Sequence, residues 1–171
     1  KVVCDPWGGE EPPALDKGIK ASLFYRGVGV PRFYSAQEYV DHATPSSRLL
    51  FFTDLNVPTR MFSEGFATQT SAVVKDDMGE KLIEFFGLKF ETVLKLRADQ
   101  EEGSYELSVL ADDGVIVKAK IGGVWQEIIS NDGDHPTKMG CANSTIQMSR
   151  DSAIPLEITY YQGPRYHISN V

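Results

Sequence analysis

Alternation of apolar and polar side chains dominates the second half of the chain. Phe86, Leu88, Phe90, Thr92, Leu94 and Leu96 share one face, and Lys89, Glu91, Lys95 and Arg97 share the other. That two-residue period predicts a half-buried strand of about a dozen residues. After a turn by composition at residues 99–104 (DQEEGS), Tyr105, Leu107, Val109 and Ala111 alternate in the same way, as do Val115, Val117, Ala119 and Ile121. The gap between these two runs, Asp112-Asp113-Gly114, is short enough for a tight hairpin turn. Gly122-Gly123 ends the next run, and Trp125 with Ile128-Ile129 suggests another short strand. Residues 130–143 read as a polar loop, Ile146 and Met148 as an edge-like strand, and Leu156, Ile158 and Tyr160 as one face of a closing strand.

The first half carries fewer signals. Ile19, Ala21, Leu23 and Tyr25 alternate with Lys20, Ser22 and Phe24, which predicts a strand, and residues 48–53 form a second candidate. Ser35 followed three residues later by Glu38 is the pattern of a capping box, predicting a short helix over residues 35–43. Residues 58–81 have no sustained period and read as a long loop. Prolines and glycines mark residues 1–18 as an arm, leaving one domain over residues 19–171. Repeated short strands with one short helix predict an all-β fold, an antiparallel sandwich or barrel.

Composition narrows the functions. The 171 residues include 17 Lys and Arg against 24 Asp and Glu, a formal charge of −7, and 42% are hydrophobic. That is enough apolar mass for one full core. The acid excess disfavours nucleic acid and anionic lipid, because binding to phosphates rests on Lys and Arg. The longest aliphatic or aromatic run, residues 49–52, is four residues long, far below the ~20 needed to cross a bilayer. The start Lys-Val-Val-Cys, without an initiator Met, reads as a processed protein or an excised segment.

Catalytic signatures are lacking. His42, His135 and His167 are far apart, none lies in a metalloprotease or nucleophile motif, and Gly27-Val28-Gly29 leads into a proline rather than a phosphate-binding fingerprint. A non-enzymatic role is therefore expected. Cys4 and Cys141 have no zinc-finger spacing, which leaves a single disulfide or two independent thiols. Asn131-Asp132-Gly133-Asp134 begins like a calcium loop, but Pro136 and Thr137 then fall at its fifth and sixth positions, where an EF-hand needs Gly at the sixth. Asp112 and Asp113 are bracketed by two strong strand patterns. Adjacent carboxylates repel, so the pair suits a bound cation, although an Asp-Gly turn facing water explains the same residues.

A resemblance favours the cation. Phe85-Phe86-Gly87-Leu88-Lys89-Phe90, Gly103-Ser104-Tyr105-Glu106-Leu107, Ala111-Asp112-Asp113-Gly114 and the closing run 155–164 (PLEITYYQGP) resemble, in order and spacing, the protective-antigen family of β domains, the PA-fourteen domain. One departure is Lys120-Ile121-Gly122-Gly123, where the family often has I-D-G. In the family's lectin branch, similar to flocculins and bacterial adhesin modules, a D-D pair joined by a cis peptide holds calcium, and vicinal sugar hydroxyls complete its shell. The resemblance implies Asp112 and Asp113 as carboxylate ligands, with Gln162 and the Gly163 carbonyl as further oxygens. Asn131, Asp132, Asp134, His135 and Arg165 are then candidates to contact the sugar, and Trp125, Tyr161 or Tyr166 to stack on it, core packing being the alternative for the aromatics. The expectation is a calcium-dependent, glycan-binding, monomeric module of a larger extracellular or surface adhesin, with a Cys4–Cys141 bond more plausible in that setting. Other branches use the fold as a spacer, so a non-lectin structural or protein-docking module, or an accessory domain of a glycoside-processing enzyme, stays open.

Overall fold

The computed structural model describes residues 18–57, 60–68 and 71–164. Residues 1–17 of the expected arm, Cys4 among them, and Arg165, Tyr166 and His167 lie outside these. Ten strands are present among the described residues: β1 (Ile19–Tyr25), β2 (Thr44–Phe52), β3 (Phe86–Leu94), β4 (Gly103–Tyr105), β5 (Ser108–Ala111), β6 (Val115–Ile121), β7 (Val124–Asn131), β8 (Lys138–Cys141), β9 (Ile146–Met148) and β10 (Ile154–Gln162). One short helix, α1 (Ala36–His42), sits between β1 and β2. This is the all-β architecture that the period-2 runs predict, and no helix among the described residues is long and apolar enough to cross a membrane.

Six strands form one antiparallel sheet in the order β2-β1-β3-β10-β6-β7, while β4 pairs with β9 and β5 with β8 in separate two-stranded ladders. The ladders share a core with one end of the large sheet, where Val115, Val117, Ala119, Ile129 and Leu156 meet Ile146 and Met148 of β9. Ile128 and Ile129 are neighbours yet both join that core, because a bulge shifts the β6–β7 register after Val117. At the other end of the same sheet, Leu23, Phe52, Phe86, Leu88 and Phe90 form a second cluster.

The opposite face of the sheet receives α1. Ser35 caps it by accepting from the Gln37 N–H, while Glu38 reaches back to the Tyr34 N–H, one residue earlier than a capping box requires. Tyr39 is fully buried and stacks on Tyr161 of β10, with ring centroids 5.3 Å apart. The approach depends on Gly87, which pairs with Tyr161 in the sheet. A Cβ there would lie 2.6 Å from the Cβ of Tyr39.

Several expectations need correction. The Asp112–Gly114 segment is not a hairpin tip: β5 pairs with β8, and β6 pairs with β10 and β7. The segment instead carries the chain from a small ladder to the large sheet. The run from Tyr105 to Ala111 is likewise split into β4 and β5, which serve different partners. The 130–143 loop contains β8, and β2 begins at Thr44, earlier than expected. The unpatterned stretch after β2 has a 3-10 turn at Phe62–Glu64 and two isolated bridges, and it contributes buried Ala67 and Val74. The genuine tight hairpin is at Gly122-Gly123, where φ values of 60° and 83° suit glycine in the turn that matches strand twist.

Gly87→Ala forces either Tyr39 or the sheet to move. It is expected to cost about 1–3 kcal/mol, read as a lower urea midpoint at unchanged m-value.

Candidate functional site

The crossing segment sits where β6, β7 and β10 end together: Val115 pairs with Asn131 and with Tyr160. Its first peptide bond, Asp112–Asp113, is cis. Asp113 is fully buried, and its carboxylate accepts from the Gln162 Nε2 (3.0 Å), the Gly163 N–H (2.7 Å) and the His135 N–H (3.1 Å). Glycines make this closeness possible. A Cβ on Gly114 would fall 2.3 Å from the Tyr161 ring, and one on Gly163 would fall 2.9 Å from Asp113 Oδ2.

Asp112 is placed differently. It is only partly buried, and among the described residues its carboxylate accepts from Thr137 Oγ1 alone, at 3.3 Å. Its carbonyl oxygen lies 2.7 Å from the Tyr160 hydroxyl, which also lies 2.6 Å from Gln162 Oε1. Burial first, then the charges of Asp113 and Asp112, hold the Tyr160 hydroxyl well above the ordinary phenol range.

The polar loop after β7 folds back on this corner. Asn131 is 3% exposed; its Nδ2 donates to the Lys138 carbonyl (3.2 Å), and its Oδ1 is buried with no hydrogen-bond partner among the described residues. The His135 ring nitrogens face the carbonyls of Pro136 and Asn131. Asp132 accepts from the Ser35 hydroxyl (2.6 Å) and the Ala36 N–H (2.9 Å), so it holds the start of α1. Asp134 pairs with Arg32 and accepts from the Tyr161 hydroxyl at 2.7 Å. Tyr161 is fully buried, and burial followed by Asp134 drives its hydroxyl strongly upward in pKa. Thus Asp112, Asp113, Gln162, Gly163 and the 131–135 loop do come together. Trp125 does not, because it sits 46% exposed at the other end of β7. Cys141 is exposed at the end of β8, paired in register with Ser108.

Arg32, Thr137 and Tyr160 are the participants that pattern reading missed. Tyr160 fits its strand's apolar face so well that its hydroxyl carried no separate signal. Arg32 lies in a stretch without period, and only the fold brings it to Asp134.

No protein-family model matches the chain, and no curated protein does. Solved structures do match. One is the PA14 sugar-binding domain from an RTX adhesin, with a TM-score of 0.59 and 16% identity, covering 86% of this chain and 84% of that one. Another is the PA14 domain of the antifreeze protein MpAFP, with a TM-score of 0.57 and 14% identity over 90% and 80% of the two chains. The chain has a PA14-like fold.

In this PA14-like domain, no group of three or more His, Cys, Asp or Glu side chains among the described residues converges on a metal position. A calcium ion would therefore draw on two carboxylates and neutral oxygens, and the donors present suit that. Asp112 has acceptor capacity left, and Asn131 Oδ1 is an oxygen lacking a donor. Tyr160 adds a third indication. Its one proton cannot serve both the Asp112 carbonyl and Gln162 Oε1. Turning the Gln162 amide by half a turn lets Nε2 donate to Tyr160, but it sets Oε1 beside Asp113 Oδ2, an arrangement of two oxygens that a cation between them favours.

The buried phenols of the PA14-like fold also set its alkaline limit. The pKa of Tyr39 is pushed up to about 12, chiefly by burial, and those of Tyr160 and Tyr161 are also raised. Above pH 10 the unfolded chain releases these protons while the folded chain keeps them, so stability from these groups is intact below pH 10 and falls as pH rises past it. Urea midpoints measured from pH 8 to 12 should fall above pH 10, and less steeply in Tyr39→Phe.

Proposed function

We infer that this domain binds glycans through a calcium ion held by Asp112 and Asp113, as an adhesion module displayed outside the cell. The observation that carries the reading is the asymmetry of the pair. Asp113 is fully buried and anchored by the backbone N–H groups of Gly163 and His135, from two loops, whereas its neighbour Asp112 keeps acceptor capacity at the surface. One rigid carboxylate beside one accessible carboxylate suits a hard cation that shares its shell between protein and ligand. The Gly163 carbonyl, the Gln162 amide oxygen after its half-turn, and Asn131 Oδ1 are the neutral oxygens that would join them. Calcium takes about 6 to 8 oxygens, so positions remain for two hydroxyls of a sugar. The likeness to a PA14 sugar-binding domain of an adhesin supports the glycan class.

Asp132, Asp134 and His135 support the loop in this reading, and Thr137, whose hydroxyl donates to the Asp112 carboxylate, stands beside the proposed ion. One shallow site of this kind binds a monosaccharide weakly, on the order of mM or about −4 kcal/mol. Adhesion then comes from many copies on one surface. No acid–base pair is required of such a module, and its role is binding rather than turnover.

A second reading, a structural or protein-docking module, is favoured by one observation: three N–H groups already compensate the Asp113 carboxylate without a metal. Calcium titration of chelator-treated protein separates the two. One bound ion is expected, weakened roughly tenfold or more, ~1.4 kcal/mol, in Asp112→Asn, with far-ultraviolet circular dichroism unchanged. A glycan array should then give signal with calcium and lose it with chelator. Absence of calcium binding, or binding that Asp112→Asn leaves untouched, would falsify the site; calcium without any glycan would favour the structural module.

A further inference from the structure

Beside the Asp112 corner lies a cavity of about 780 Å³, most of whose lining lies outside the candidate site. It separates the core face of the large sheet from the segments that cover it, β5 and the stretch after β2. Leu156, Ile158, Tyr160 and Gln162, successive residues on one face of β10, all line it. At ~3.3 Å per residue the cavity therefore follows the strand for about 20 Å. Strand β10 is central in the six-stranded sheet, yet Ile158 and Tyr160 are only partly buried, and among the described residues the layer above them is incomplete. Large apolar side chains stand exposed along the walls: Met61 is 71% exposed and Leu110 65%.

The two ends of this space differ. Asp112, Thr137 and Gln162 line one end, so the cavity shares residues with the proposed ion and sugar position. Away from them the lining is mainly aliphatic and aromatic. A volume in this range suits a small-molecule ligand. An elongated, mainly apolar cavity that starts beside a polar head site suits one ligand shape, a sugar with a straight alkyl chain on its anomeric oxygen. An open aliphatic surface in water is otherwise unfavourable in proportion to its area.

We propose, resting on the calcium-dependent glycan reading above, that the preferred ligand is a long-chain alkyl glycoside, the chemistry of a single-chain glycolipid. Its sugar hydroxyls meet the ion at Asp112, and its chain runs along β10 in the cavity. The chain contributes affinity that the sugar alone lacks, since each buried methylene multiplies affinity by up to about fourfold.

The test is calorimetry on the intact chain with matched methyl and octyl glycosides of glucose, mannose, galactose and fucose, below micelle-forming concentration, with calcium and with chelator. The octyl form of the preferred sugar is expected to bind at least roughly tenfold more tightly than its methyl form, and both are expected to lose binding in chelator. Val109→Phe fills the cavity from β5, and Phe62→Asp places a charge at its wall without repacking the core. Either should remove the octyl advantage and leave methyl glycoside binding in place. Equal binding of methyl and octyl forms overturns the proposal while leaving the calcium reading intact. Octyl binding that survives chelator, or that both variants leave unchanged, overturns it as well. Failure of the parent reading is read separately, as no calcium heat in the metal titration.

Discussion

The buried carboxylate of Asp113 is the constraint on which the functional corner depends. A carboxylate removed from water is costly unless hydrogen bonds surround it, and here the donors come from Gln162, Gly163 and His135. Those residues belong to the end of the central strand and to the loop that follows β7. Satisfying one side chain therefore draws both into a single arrangement. The same closeness brings Gly163 beside Asp134, whose partner Arg32 lies on the segment leading into α1. Asp132 completes the connection by holding the first turn of that helix. The helix, the loop and the crossing segment are positioned as one unit, and Asp112 is the carboxylate of that unit left facing outward.

Four acids crowd this corner, and the structure assigns them unlike tasks. Asp132 holds a helix start, Asp134 an arginine and a phenol, and Asp113 three N–H groups. Spacing along the chain cannot separate a supporting acid from a ligand, because both are short, charged and found in loops. The loop that looked most like a sugar-contacting surface, residues 131–135, is occupied largely with internal contacts. What those contacts supply is a fixed loop, which would lower the ordering cost of any ligand bound at this corner.

Legibility followed the range of the interaction. Strands β1, β6 and β10 were readable from period alone, since side-chain alternation is local and survives any choice of partner. Pairing was not. The Asp-Gly at 113–114 is a hairpin signal by composition, but β5 finds its partner in β8, some thirty residues on, and the turn becomes a crossing between sheets. Ala67 and Val74 are core residues within a stretch that shows no pattern, because two isolated bridges and a 3-10 turn impose no period. In the site, the resemblance of ordered motifs brought out Asp112, Asp113, Gln162 and Gly163 together. Arg32 and the Tyr160 hydroxyl gave no such sign, because Arg32 reaches Asp134, and the Tyr160 hydroxyl reaches the Asp112 carbonyl, across more than forty residues of sequence.

Fold and function place different demands on this chain. Solved domains with 14–16% identity share its architecture, so most positions need only alternation, a few glycines at close approaches and adequate apolar mass. The corner built around Asp113 needs more specific contacts, and at the Tyr160 hydroxyl two of them compete. One proton faces two acceptors, and the amide rotation that relieves the conflict brings Gln162 Oε1 beside Asp113. As placed, the amide serves both Tyr160, through Oε1, and Asp113, through Nε2, and it is the Asp112 carbonyl that then meets the hydroxyl oxygen without a proton. In the proposed calcium-bound state a cation would relieve the crowding after that rotation, taking the opposed oxygens of Gln162 and Asp113 as shared ligands and leaving the Tyr160 proton to the Asp112 carbonyl.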